Sequence, residues 1–155
     1  MKNVNFSFGT IEFDLKGKNV PQASFVGFAY HGLNDSTFDA IYFRPFNFRS
    51  TNKNSKNHCV EYISMPKYDW FNLRHLFKDE FESGLNVMID PDSWIHTKIE
   101  ITEKSVSVFV AGNPTPTLVV KPLNKIDKGR VGFWVGNGSD GSFSNLTIDE
   151  TVPVK

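Results

Sequence analysis

The sequence predicts an all-β protein: a two-sheet antiparallel β-sandwich of the jelly-roll type, with one short helical insertion. Three observations predict it. Apolar and polar residues alternate with period two in eight or nine short segments. Clusters of Gly, Pro, Asn, Asp and Ser separate those segments at short spacing, as in sandwiches and barrels. Aromatic residues make up 14% of the chain, with 15 Phe, a composition that suits pleated surfaces better than helices.

The elements follow in order. Residues 9–16 alternate cleanly, with Ile11, Phe13 and Leu15 facing inward and Glu12, Asp14 and Lys16 outward. Residues 24–31 are apolar on both faces, as in a central strand. Residues 38–44 form the next strand, followed by a polar loop over 45–57 rich in Asn, Ser and Lys. Residues 58–64 are again a strand. The irregular insertion is 65–86. In it Trp70, Leu73, Phe77 and Phe81 recur at three- and four-residue steps, which predicts a short amphipathic helix near 69–77. Trp70 is read as a lid residue or a plug over one end of the sandwich, with the plug favoured, and Trp94 as structural. Residues 94–102 and 105–111 form two strands around a tight turn at Glu103-Lys104, and 117–121 a short strand. The segments 130–135 and 142–148 flank a Gly/Asn/Ser/Asp turn and read as a closing β-hairpin. In one register Val131, Phe133 and Val135 seek the core, while Arg130, Gly132 and Trp134 share the far face.

Composition narrows the function classes. The 155 residues suffice for one domain, 1–155, with its own core. The 17 basic and 17 acidic residues balance, so nothing electrostatic draws the chain to nucleic acid or to an anionic membrane. No stretch approaches the roughly 18 apolar residues of a membrane span. The one cysteine, Cys59, has no intrachain partner and lies in an apolar alternation, so an inert buried thiol is expected. Met1-Lys2 leads into polar residues rather than the apolar core of a signal peptide. Either a cytoplasmic protein or a trimmed secreted or periplasmic one is expected.

Several segments in this order, Gly9-Thr-Ile-Glu-Phe-Asp14, Trp94-Ile-His-Thr-Lys-Ile99, Val106-Ser-Val-Phe-Val110, Gly129-Arg-Val-Gly-Phe-Trp134 and Phe143-Ser-Asn-Leu146, resemble the concanavalin A-like lectin/glucanase superfamily. The chain looks most similar to its laminin-G-like and bacterial keto-disaccharide-hydrolase-like branches. Phe25-Val-Gly-Phe-Ala-Tyr-His31 and Tyr42-Phe-Arg-Pro-Phe-Asn47 are similar to a bacterial branch without a stated activity. The resemblance covers nearly the whole chain. It implies two antiparallel sheets, one curved, with ligands bound on the concave face or its rim loops. Its motifs specify a scaffold rather than a reaction, because sites are grafted onto such scaffolds independently.

Glu12-Phe-Asp14-Leu-Lys16 tests the glycosidase alternative. Family 16 glycoside hydrolases of this superfamily carry Glu, Asp and Glu at alternating strand positions. Retaining glycosidases need two carboxyls about 5–5.5 Å apart. Lys16 replaces the second Glu, so the resemblance argues against that activity, and no catalytic residue is assigned. The remaining enzymatic readings pair Glu61 with Asp39 or with His58. A third reading is a structural interaction module that docks one sandwich face on another domain.

The favoured expectation is a non-catalytic carbohydrate-binding module. Trp134 is its stacking platform, because the apolar face of a sugar ring packs on an indole, and Gly132 and Gly136 leave room beside it. Tyr42 and Arg44 share a strand face, and Arg44 is expected to fork onto Glu61 or onto ligand hydroxyls. His96 and Lys98 share one parity and are expected to extend that polar row. The four histidines show no zinc spacing. No cofactor is expected, with calcium at the 136–141 loop as the one metal considered; that loop has few carboxylates for an ion that takes six to eight oxygens.

Overall fold

The computed structural model describes residues 1–151. Among these described residues, eleven strands form two antiparallel sheets. The six-stranded sheet has the order β1-β10-β3-β4-β5-β6: Asn5–Phe6, Gly129–Val135, Val26–Asn34, Thr37–Phe43, Val60–Met65 and Glu82–Ser83. The five-stranded sheet has the order β11-β2-β7-β8-β9: Ser142–Glu150, Gly9–Lys16, Ile95–Ile101, Val106–Val110 and Leu118–Val120. The two-sheet sandwich expected from the alternation is therefore present. Strand positions agree with the sequence reading to within three residues, close to the usual scatter of element ends.

Alternation explains the layering. Ile11, Phe13 and Leu15 are fully buried while Glu12 and Asp14 point away from the core. Phe28, Ile41 and Tyr62 lie opposite one another across β3, β4 and β5 and so share the inner face of the six-stranded sheet. Phe13 meets Phe28 at 5.3 Å between ring centroids, which joins the two sheets. The hairpin at 103–104 forms as expected, with the Thr102 N–H donating to the Ser105 carbonyl at 2.9 Å.

The tail departs from expectation. The segments 130–135 and 142–148 do not pair. β10 enters the six-stranded sheet between β1 and β3, and β11 pairs with β2 in the other. The 136–141 loop carries the chain from one sheet to the other. Phe133 stacks on Phe143 at 4.3 Å, so the two strands face each other across the sandwich rather than side by side. A register shift between Arg130 and Gly132 also breaks the simple parity. Val131 is buried, whereas Phe133 and Val135 are partly exposed. Arg130 donates to the Leu33 carbonyl at 3.3 Å instead of joining Trp134 in a row.

The insertion covers the outer face of the six-stranded sheet. Helix α2, Trp70–Leu76, is capped by Asp69, whose carboxylate accepts from the Asn72 N–H at 2.8 Å. It buries Leu73 and packs against β5. A 3-10 turn, Pro45–Asn47, and a four-residue helix α1, Lys53–Lys56, form a neighbouring rim. Asn52 caps α1 by accepting from the Asn54 and Ser55 N–H groups. The N-terminal strand that the resemblance implies before Phe8, expected from the sequence to be short or absent, is the two-residue β1, whereas β6, the 3-10 turn and α1 are too short to show a period in the sequence.

Candidate functional site

One row of residues crosses the outer face of the six-stranded sheet. Trp134, Gly27, Tyr42, Glu61 and Glu82 are successive register partners on β10, β3, β4, β5 and β6. Directly opposed residues share a face, so the pairing alone places all five together. Gly27 decides how the aromatic end is built. A Cβ there would lie 1.9 Å from the Ile41 carbonyl oxygen and 2.7 Å from the Tyr42 Cβ. Without it, the rings of Trp134 and Tyr42 meet over the glycine at 4.8 Å.

Arg44 follows Tyr42 on the same face and joins the aromatic end to the acidic one. Its Nη2 donates to the Tyr42 hydroxyl at 2.6 Å and to Glu61 Oε1 at 2.5 Å. The Tyr42 hydroxyl in turn donates to Glu61 Oε1 at 2.9 Å. The guanidinium lies over the Tyr42 ring, 4.9 Å from its centroid. Arg44 Nη1 stands 3.8 Å from Glu82 Oε2. Glu82 is clamped by α2: Arg74 donates from Nε and Nη2 to its two oxygens, both at 2.8 Å. His58 Nε2 lies 3.0 Å from Glu82 Oε1. Arg74 also lies 5.1 Å over the Trp70 ring.

Burial sets the electrostatics of this network. Glu61 is 1% exposed, and its carboxyl is pushed up to about 7, first by burial and further by the nearby Glu82, against the opposing pull of Arg44. Burial also holds the Tyr42 hydroxyl well above its ordinary range. His58 is held below the ordinary histidine value, with burial the largest cause and Glu82 acting against it.

The network floors a cleft of about 1060 Å³. Trp134 and Asn137 line it from the β10 side, Trp70 and Arg74 from α2, and His58 from the start of β5. Four of the predicted binding residues, Trp134, Tyr42, Arg44 and Glu61, are thus brought together. Their roles divide. Trp134 is half-buried, while Arg44 is 6% exposed and Tyr42 less, so these two form the floor more than the contact surface, and Glu61 lies beneath them.

His96 and Lys98 do not extend the row. They lie on the outer face of the five-stranded sheet, because β7 pairs with β2 and not with β5. There His96 bridges Asp14 through Nδ1 and Glu12 through Nε2, each at 2.8 Å, and Lys98 lies 3.2 Å from Glu100. The parity reading was correct; the assignment to a sheet was not. The Glu61–Asp39 pair also dissolves. Asp39 pairs with Ser64 three residues along and faces the sandwich interior. It accepts from Tyr62 at 2.8 Å and from Asn124, in a separate cavity of about 550 Å³. His58 does reach the network, through Glu82 rather than Glu61.

Trp70 is not a plug. It is 47% exposed and lines the cleft. Trp94 is half-exposed as well. The sequence reading favoured the plug over the lid for Trp70 and missed Arg74 and Glu82 as site residues. The helical period marked the insertion but not the face on which it folds. Gly27 was missed too: Gly132 and Gly136 were expected to make room for Trp134, yet Gly136 packs against Phe25 and the close approach occurs at Gly27.

His58, Asp79 and Glu82 offer ligand atoms within 4.8 Å of one another. Glu82 already holds the Arg74 guanidinium on both oxygens, and a dication would have to displace that charge. The set fits an ion-pair network better than a metal site. In the 136–141 loop, the carboxylate of Asp140 pairs with Lys18 at 2.9 Å, and the Ser139 hydroxyl accepts from the Phe25 N–H. Among the described residues, no helix is long and apolar enough to cross a membrane.

Comparison with solved structures agrees with the fold. The carbohydrate binding module CBM66 from Bacillus subtilis matches with a TM-score of 0.62 and 11% sequence identity, over 93% of this chain and 76% of that one. The fold is thus a two-sheet β-sandwich with a cleft on one sheet face. No protein-family model matches the sequence, and no curated protein matches it either.

Proposed function

We propose that this protein is a non-catalytic carbohydrate-binding module whose ligand lies in the cleft over the six-stranded sheet. The observation that carries the reading is the continuous stack Trp134–Tyr42–Arg44, anchored on Glu61, in the floor and wall of that cleft. A sugar presents an apolar ring face and a rim of hydroxyls. A half-buried indole beside fixed guanidinium, imidazole and amide groups complements both. The side chains are held before any ligand arrives, which lowers the cost of binding. The likeness to a carbohydrate binding module supports the same reading.

The arrangement of carboxylates favours binding over hydrolysis. Glu61 and Glu82 stand opposite each other on neighbouring strands, a spacing near that of a glycosidase pair. Both are nearly inaccessible, however. Glu82 is engaged on both oxygens by Arg74, and Glu61 Oε1 accepts from Arg44 and Tyr42. A general acid or nucleophile must reach the scissile bond. These groups instead orient the cations above them.

The test is a glycan-array screen followed by calorimetry on the hits. The reading expects saccharide binding that Trp134→Ala weakens at least tenfold, about 1.4 kcal/mol, with no turnover of the ligand. Saccharide binding unaffected by Trp134→Ala, or release of reducing ends, overturns it.

A further inference from the structure

Two tryptophans from different elements line the cleft, Trp134 from β10 and Trp70 from α2. The row from Trp134 to Glu82 crosses four interstrand steps, β10 to β3 to β4 to β5 to β6. At 4.7–4.9 Å per step that is about 19 Å. Trp70 is carried by α2, whose Arg74 holds Glu82 at the β6 end of this row. Its orientation is not left to chance: the Arg74 guanidinium lies 5.1 Å from the ring centroid and is itself held by two hydrogen bonds to the buried Glu82. A seven-residue helix that buries only Leu73 thus presents a fixed, half-exposed indole to the cleft. Arg44 and His58 occupy the stretch between the two tryptophans. The volume of about 1060 Å³ lies just above the roughly 300–1,000 Å³ typical of single small-ligand sites.

We infer that the cleft takes an extended oligosaccharide segment running across the strands, with Trp134 stacking one unit, Trp70 stacking another several units along, and the Arg44–His58–Arg74 stretch contacting the hydroxyls between them. This rests on the carbohydrate-binding reading and adds to it the class of ligand: a chain of about four linked units, matched to a row about 19 Å long, rather than one terminal sugar. One ring covers one indole, so a single unit leaves the second platform empty. A chain that reaches both gains the second contact without a second association cost.

The experiment is isothermal calorimetry of the whole chain against size ladders, from one to six units, of cello-, fructo- and galacturonate oligosaccharides. The inference expects affinity in at least one ladder to rise at least tenfold between one and four units and then to level. Trp70→Ala should abolish that rise. Trp70→Phe, which keeps a ring, should restore part of the rise. Trp134→Ala should weaken every length. Trp70 is half-exposed, and an unchanged melting temperature would verify that its variants fold. A single unit that binds as tightly as a tetramer overturns the extended chain and leaves the carbohydrate-binding reading standing. So does a length effect that Trp70→Ala does not touch. Absence of binding to all ladders, and to any glycan on an array, overturns both.

Discussion

The outer faces of the two sheets carry the same kinds of side chain and build different things. On the five-stranded sheet, Glu12, Asp14, His96, Lys98 and Glu100 form a lattice of short ion pairs open to water. On the six-stranded sheet, Arg44, Glu61, Glu82, Arg74 and His58 form a lattice of similar distances under α2 and the 45–57 rim. Water screens the first set, and exposed pairs of that kind contribute about 0–1 kcal/mol each. The second set is desolvated, so each charge depends on its partners. Residue type does not separate a site from a solvated face here; cover does. Two histidines illustrate it. The Asp14 hydrogen bond holds His96 above its ordinary value, whereas burial holds His58 below it.

The largest expected break is at the buried lattice. Glu82→Ala strips Arg74 of both hydrogen bonds and leaves Arg44 and His58 beside an empty position. It is expected to destabilise the fold by about 3–5 kcal/mol, read from denaturant unfolding. On the other face, Glu12→Ala is expected to cost no more than about 1 kcal/mol. Equal costs at both positions would dissolve the contrast.

Gly27→Ala comes next. The added methyl meets the Ile41 carbonyl and Tyr42 backbone, atoms that cannot turn aside. A loss of about 1–3 kcal/mol should accompany a changed Trp134 fluorescence, because the indole loses its seat on Tyr42. A silent substitution would mean that the strands separate there at no cost.

Glu61 sharpens the comparison through pH. Its carboxyl is raised to about 7 when folded, against about 4.3 when unfolded. Between those values the folded state holds the extra proton, so this group's contribution to stability falls as pH rises from about 4 to about 7. Glu61→Gln should flatten that decline in thermal melts taken across the window. His58 acts in the opposite sense: its lowered value means stability is lost as pH falls below the unfolded value of about 6.5. For His96, raised when folded, the contribution is present below about 6.5 and is lost as pH rises through the folded value. A proton-detected titration should therefore order the two rings, His58 more acidic than His96. The smallest effect is expected from His96→Gln, within about 1 kcal/mol, with saccharide binding unchanged.

Much of this was legible in the sequence, and the limits have physical causes. Alternation over 9–16 and over 95–101 identified strands and inward faces, because a half-buried strand cannot hide its period. Tyr42, Arg44 and Glu61 were found together because an Arg within an apolar strand needs a carboxylate, and Glu61 is the register partner of Tyr42. Sheet membership was not legible. Parity says which residues share a face of one strand, but not which strands become neighbours; that misplaced His96 and Lys98 and turned β10 and β11 into a hairpin. Trp70 and Arg74 escaped for a related reason. A seven-residue helix shows its apolar stripe, Leu73, but its seat over Glu82 depends on contacts far along the chain.

The most direct measurement is a two-dimensional NMR titration with a saccharide that binds, following the three indole N–H signals and the imidazole signals of His58 and His96. The account predicts shifts at Trp134, Trp70 and His58 that saturate together, with Trp94 and His96 unmoved. Saturating shifts at His96 and its neighbours, with Trp134 unmoved, would place the ligand on the opposite sheet and contradict it.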